Sequence, residues 1–234
     1  IQDSWRLITN DATITVNGLE ATSTFEYTLD GTNWIAGNGN TFELADNTSY
    51  PAGQVQVRTT DAAGNVSTAE ALGAITVDTQ GTGTVSVNPI TADDIVNASE
   101  AGSDIAVSGS VTGELTQGDT VTFTVDGTDY AATVDASNNW SVNVPGAKLA
   151  ADTEFTVNAS GTDAAGNAIN ATATSTHSVD TTADEVTLSF NDTGVVGDSI
   201  TNDATITVNG LEGTSTFEYT LDGTNWIAGN GNTF

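Results

Sequence analysis

Along most of the chain apolar and polar residues alternate with a period of two. Ala12, Ile14 and Val16 alternate with Thr13, Thr15 and Asn17, and Phe25, Tyr27 and Leu29 alternate with Thr24, Glu26 and Thr28. A period of two sends successive side chains to opposite faces, so these runs predict half-buried antiparallel strands, apolar face inward and threonine face outward. Asp30-Gly31 follows at once and predicts a tight hairpin turn, because glycine accepts a positive φ. Trp34 and Ile35 open the return strand, and GNGN at 37–40 predicts another tight connection. Val55 and Val57 mark a further strand, and residues 74–77 another. The same logic continues with Val85 and Val87, with Ile105 and Val107, and with Val121, Phe123 and Val125 before Asp126-Gly127. Residues 130–134 and 140–144 flank a turn at 135–139; Phe155, Val157 and residues 172–179 complete the series. The alternation puts Phe123 inward and Thr122 outward. No stretch carries the 3.6-residue period of a helix.

Long-range self-similarity organises these strands. Residues 8–42 return as 200–234 with one difference, Ala21 against Gly213. TDAAGN occurs at 60–65 and 162–167, and Val-Asp-Thr at 77–79 and 179–181. Repetition at long spacing means modules strung on one chain. Seven or so short strands per roughly 100 residues, punctuated by turn signals, is the profile of an immunoglobulin-like sandwich. The expected fold class is therefore all-β, with tandem immunoglobulin-like β-sandwich modules in an elongated array. The expected division is 1–78, a module lacking its first strand; 79–180, a complete module; and 181–234, the N-terminal part of a third. The opening IQDSWRL does not match TGVVGDS at 193–199, so it is either foreign to the repeat or a different junction. An unpaired strand edge invites pairing with another chain, and residues 186–190 of one copy are expected to be able to fill the first-strand position of another.

Composition narrows the partners. Three Lys and Arg stand against 31 Asp and Glu, for a formal charge of -28. Such a chain repels nucleic acid and anionic lipid surfaces. There is no cysteine, hence no disulfide, and no apolar run near the roughly 18 residues of a membrane span. Catalytic signatures are missing as well: His177 is the lone histidine, and no Gly-x-Ser-x-Gly elbow accompanies the serines. The reading is that the chain is not an enzyme. Trp34, Trp140 and Trp226 sit in alternating strands with aliphatic neighbours, which assigns them to core or hairpin packing.

The carboxylates carry the remaining chemistry. In a seven-stranded sandwich the loop before the last strand and the loop after the first lie at opposite poles. Asp78, Asp163 and Asn167 form the expected set at one junction; Asp93, Asp94, Asn97 and Glu100, with Asp180 and Asp184, form the set at the next. Oxygen donors without His or Cys suit a hard cation, and calcium, with about six to eight oxygen ligands in loose geometry, fits better than zinc. The plainer alternative is that Asp, Asn and Gly simply make turns. TDAAGN alone is a weak signal; its repetition beside a Val-Asp-Thr linker strengthens it.

The module that closes in TDAAGN, a strand and VDTT, with VNASEAGSDIAVSGSVTG near its start and WSVNVPG in its middle, resembles the tandem bacterial immunoglobulin-like domains of very large Gram-negative surface adhesins. The resemblance covers nearly the whole chain. It implies type I secretion, extracellular display at the cell surface as a long stalk, and a role in attachment or biofilm formation. It also implies calcium at the junctions and neighbouring modules of the same chain as partners. Glycine-aspartate nonapeptide secretion repeats and a recognisable ligand-binding domain are missing, so the chain resembles the extender and not the tip. Two rival readings are a glycan- or ice-binding module and an accessory domain of a secreted polysaccharide hydrolase.

Overall fold

A computed structural model describes residues 7–234; the reading of the opening segment falls almost wholly on residues 1–6, which lie outside them. The chain forms two compact units, Ile1–Val179 and Asp180–Phe234. No helix among the described residues is long and apolar enough to cross a membrane.

The first unit holds two hydrophobic cores. Around the first lie β1 (Leu7–Thr9), β2 (Thr13–Thr15), β3 (Thr24–Thr28), β4 (Ile35–Ala36), β5 (Thr41–Glu43), β6 (Thr48–Tyr50), β7 (Gln56–Thr60), β8 (Glu70–Ala71) and β9 (Ile75–Val77). They form the sheets β1-β9-β6, β2-β5 and β4-β3-β7-β8, with β1 parallel to β9. Phe25, Phe42, Leu44, Tyr50, Val55, Ile75 and Val77 are buried between them. Gly37 serves this core by having no side chain, since a Cβ there would run into the Phe25 ring. One facing differs from the sequence reading. Thr28 is fully buried, because its hydroxyl donates to the Asp30 carboxylate at 2.9 Å and so leaves water without loss of a hydrogen bond.

The second core lies between two sheets. Its elements are β10 (Gly83–Val87), β11 (Ile95–Asn97), α1 (Ala98–Ala101), β12 (Asp104–Gly113), β13 (Thr120–Val125), β14 (Thr128–Thr133), β15 (Asn139–Pro145), α2 (Gly146–Ala151), β16 (Glu154–Thr162), β17 (Ala168–Thr176) and β18 (Ser178–Asp180). The sheet β10-β12-β15 faces β14-β13-β16-β17, and β11 pairs with β18. In β13 the burial alternates strictly, with Val121, Phe123 and Val125 inside. Gly109 lies opposite Trp140; a Cβ there would strike the Trp140 ring and the Ser86 carbonyl, so glycine permits β10 to close over the indole. Two short helices, α1 and α2, interrupt the strands of this all-β unit. At four and six residues they are too short to show a helical period, and α1 forms because Asn97 caps it.

The second unit contains β19 (Thr187–Phe190), β20 (Ile206–Asn209), β21 (Glu218–Tyr219) and β22 (Ile227–Ala228), paired β19-β20 and β21-β22. It repeats the local structure of residues 8–42. Tyr27 stacks on Phe42 with centroids 4.2 Å apart, and Tyr219 on Phe234 at 4.1 Å.

Candidate metal centre

The TDAAGN turns show what the sequence builds before any ligand is considered. In the first, the Asp61 carboxylate accepts the Ala63 and Asn65 amides at 2.9 and 2.8 Å, and the Asn65 side-chain amide closes a ring onto its other oxygen at 2.7 Å. In the second, Asp163 accepts Ala165 and Asn167 at 2.8 Å each, and the Asn167 side chain at 2.7 Å. The glycine of each turn has a positive φ, 88° at Gly64 and 92° at Gly166. Aspartate and asparagine in this motif are thus turn residues first.

The second turn has further neighbours. The Asn167 side-chain amide also donates to the Asp78 carbonyl at 2.7 Å, joining the loop before β17 to the end of β9. The carboxylates of Asp78, Glu114 and Asp163 each offer an oxygen within 4.8 Å of the others. Glu114 is held there by the Thr82 amide and hydroxyl at 2.7 and 2.9 Å, and Asp78 is seated by its own amide, which donates to the Thr9 carbonyl at 2.8 Å. All three side chains are half-buried. Burial opposes ionisation of Asp163, but the bonds from Asn167, Ala165 and Gly166 outweigh it and hold its carboxyl below the usual range.

No described cation neutralises this group. Arg58 pairs with Glu26 at 2.7 Å and lies over the Trp34 ring, and Lys148 pairs with Asp126 at 3.1 Å. The donor set is therefore three carboxylates, which suits a hard divalent cation. Glu114 is the ligand candidate that sequence reasoning missed. The signal lay in strand direction: β12 runs antiparallel to β10 with Gly113 opposite Gly83, which returns Glu114 to the start of β10.

The other expected set is engaged locally. Asp93 accepts the Thr91 hydroxyl and the Ile95 amide, and these bonds hold its carboxyl low against a smaller opposing effect of burial. Asp94, at a φ of 60°, accepts the Ile90 amide at 2.8 Å. Asn97 and Glu100 close the capping box of α1. Among the described residues Asp93, Asp94 and Glu100 form no cluster of the Asp78–Glu114–Asp163 kind. In the second unit Asp180 accepts the Thr182 amide and Asp184 the Glu212 amide at 3.0 Å. His177, also buried, bonds the Leu149 carbonyl at 2.8 Å, a packing role.

The fold defines an all-β protein of immunoglobulin-like class with an acidic, oxygen-only candidate site. No family model matches the chain, and neither does any curated protein. Among solved structures it is similar to a bacterial immunoglobulin-like domain from the M. primoryensis ice-binding adhesin, at 52% identity over 43% of this chain and 100% of that one, with a TM-score of 0.42. It is similar also to a structure bearing on host cell surface retention of a 1.5-MDa bacterial ice-binding adhesin, at 32% identity over 80% of this chain and 65% of that one, with a TM-score of 0.56. A Ca2+-stabilized adhesin from an Antarctic bacterium that binds ice matches at 36% identity over 81% of this chain and 50% of that one, with a TM-score of 0.46. The chain thus spans all of the single domain but less than two thirds of the two longer structures. It belongs to the bacterial immunoglobulin-like domains of large adhesins.

Proposed function

We propose that the chain is a stalk segment of a large adhesin displayed outside a bacterial cell, where it supplies length and stiffness for attachment or biofilm formation and performs no catalysis. Its family and its internal repetition support this reading. The modules 1–78, 79–180 and 181–234 are its units, and neighbouring modules of the same chain are its main partners. A second copy, through strand exchange, is a further one.

Calcium is the proposed stiffener, held by Asp78, Glu114 and Asp163. The supporting observation is the convergence of these three carboxylates, contributed by the end of β9, the turn after β12 and the loop before β17, without a described basic neighbour. Like charges a few ångströms apart repel; a divalent ion removes that repulsion and ties three segments together. The second group expected from the sequence enters the proposal on its acidity alone, and Asp180→Ala is the variant that reads it. Thermal unfolding during a calcium titration tests the main site. Stability is expected to rise by about 2.7 kcal/mol at one hundred times the dissociation constant, and Glu114→Gln is expected to weaken binding. Chelation is expected to shorten the maximum dimension in small-angle scattering. Sodium chloride at matched ionic strength is the control, because it screens without coordinating; if sodium reproduces the whole calcium effect, the site does not exist.

A further inference from the structure

We infer that a polar pocket at one corner of the second core binds a neutral hexose unit of a polysaccharide, with the Trp140 indole N–H as its buried donor. The pocket has a volume of about 320 Å³ and lies where the turn after β14 leads into β15, beside the strand β12. Trp140 lines it and is 2% exposed, yet its Nε1 has no hydrogen-bond partner among the described residues. A buried indole N–H normally finds an acceptor, and a group that only donates needs one from elsewhere. The direction of this donor follows from covalent geometry. One edge of the ring, at Cζ2, faces Gly109, where a Cβ would strike it. Nε1 and Cζ2 are both bonded to Cε2, so the unpartnered N–H leaves the ring on that edge, and Gly109 lines the same pocket. Glycine at 109 keeps a side chain from covering it.

Around this donor stand groups that recognise hydroxyls. Asp135 is fixed by its own turn, where one carboxylate oxygen accepts the Ser137 and Asn139 amides at 2.8 and 2.9 Å. The other oxygen accepts no hydrogen bond among the described residues and is left for a hydroxyl. The Asn88 side-chain amide donates to the Ser108 hydroxyl at 3.1 Å, which orients its carbonyl oxygen as a further acceptor. Ser141 lies opposite Ser108 in the β12–β15 pairing, and Asn139 brings a second amide to the rim. A sugar hydroxyl both donates and accepts, so a mixed set of carboxylate, amide, hydroxyl and indole groups on strand and turn backbone matches it.

Charge and size select the ligand. Among the described residues no lysine or arginine lines the pocket, and Asp135 adds a negative charge to it. A phosphate, a nucleotide or an acidic sugar is therefore repelled, while a lone carboxylate is too few for a divalent cation, which takes about six or more oxygen ligands. A single water needs only about 10 to 15 Å³ of such space, so the pocket has room for a sugar ring. Its volume lies at the lower end of the roughly 300 to 1,000 Å³ of small-molecule sites. Such a site gives the stalk a lateral hold on neutral polysaccharide in addition to its length, and the stalk reading stands without it.

The chain has four tryptophans, so the indole N–H signals of the full chain, labelled with nitrogen-15, read the site directly by nuclear magnetic resonance. The Trp140 signal is identified by its loss in Trp140→Phe, and the unmodified chain is titrated separately with methyl glucoside, methyl galactoside and methyl mannoside. At least one of the three is expected to shift the Trp140 signal saturably while those of Trp34 and Trp226 stay in place. Asn139→Ala and Ser141→Ala, both on the exposed face of β15, leave the core intact and are each expected to raise the dissociation constant about fivefold, the loss of one hydrogen bond. The matching methyl hexuronide is expected to bind at least about fivefold more weakly. A Trp140 signal that none of the hexosides moves overturns the inference. A shift of equal affinity in the parent chain and both variants overturns it too, since the sugar then acts from another place. A bound-water cross-peak to the Trp140 N–H that persists at saturating hexoside assigns the donor to an ordered water and likewise overturns it. Equal binding of the hexuronide overturns the restriction to neutral sugars.

Discussion

Phe123→Ala tests the sandwich at the centre of a buried aromatic cluster. Phe123 is 3% exposed, and its ring lies 5.4 Å from Tyr130, 5.9 Å from Trp140 and 5.4 Å from Phe155, centroid to centroid. Truncating a buried phenylalanine costs about 3 to 5 kcal/mol through lost transfer energy and the cavity left behind. Each aromatic neighbour adds roughly 0.5 to 1.5 kcal/mol beyond area, so a ring with three of them belongs at the upper end, about 4 to 5 kcal/mol. That is a large part of the stability of a small module. The neighbouring Thr122, exposed on the opposite face of β13, is the internal control, and Thr122→Ala is expected to change stability by about 0.5 kcal/mol or less. A urea titration reads both: with a slope of about 2 kcal/mol/M, the Phe123→Ala midpoint falls by roughly 2 M while that of Thr122→Ala barely moves. Near-ultraviolet dichroism, to which the buried Trp140 beside Phe123 contributes, follows the transition. Equal midpoint shifts would refute the facing of β13 and with it the assignment of the core.

Two further outcomes follow from particular bonds. Asp30 accepts the Asn33 backbone and side-chain amides and the Thr32 amide, and these hold its carboxyl well below the usual 3.8. A depressed native value means a contribution that is complete above the unfolded value near 3.8 and is lost as the pH falls below it. The melting temperature of Asp30→Asn is therefore expected to fall less than that of the parent chain between about pH 5 and about pH 2, and parallel acid limbs would contradict this. The second outcome uses the repeat as its own control. Gly37 donates to the Phe25 carbonyl and Gly229 to the Phe217 carbonyl, both at 2.8 Å, yet Phe25 is 2% exposed and Phe217 only half-buried. Amide exchange at Gly229 is expected to be at least about tenfold faster than at Gly37, because protection follows the burial around a hydrogen bond; equal protection would show that the local segment holds itself.

That comparison separates what sequence determines from what the fold decides. Residues 8–42 and 200–234 make the same turns: Asp30 with Asn33 and Asp222 with Asn225 form identical rings, each with a side-chain bond of 2.6 Å, and the strand pairings match register for register. These interactions join residues a few positions apart or across a short hairpin, so residue type, spacing and chirality suffice to specify them. The alternating strands, the hairpins and the sandwich class were legible for that reason. Burial was not. Trp34 lies under Arg58, whereas the same residue in the repeat, Trp226, is 63% exposed, because β7, which carries Arg58, is a partner from outside the repeated segment. Glu114 was missed on similar grounds. Its approach to Asp78 and Asp163 depends on the register of β10 with β12 and on the return of β17, contacts that span 36 and 49 residues. Sequence spelled out the turns that place each carboxylate; only the closure of the sandwich brought three of them within 4.8 Å, because that distance is set by nonlocal strand pairing and not by any local preference.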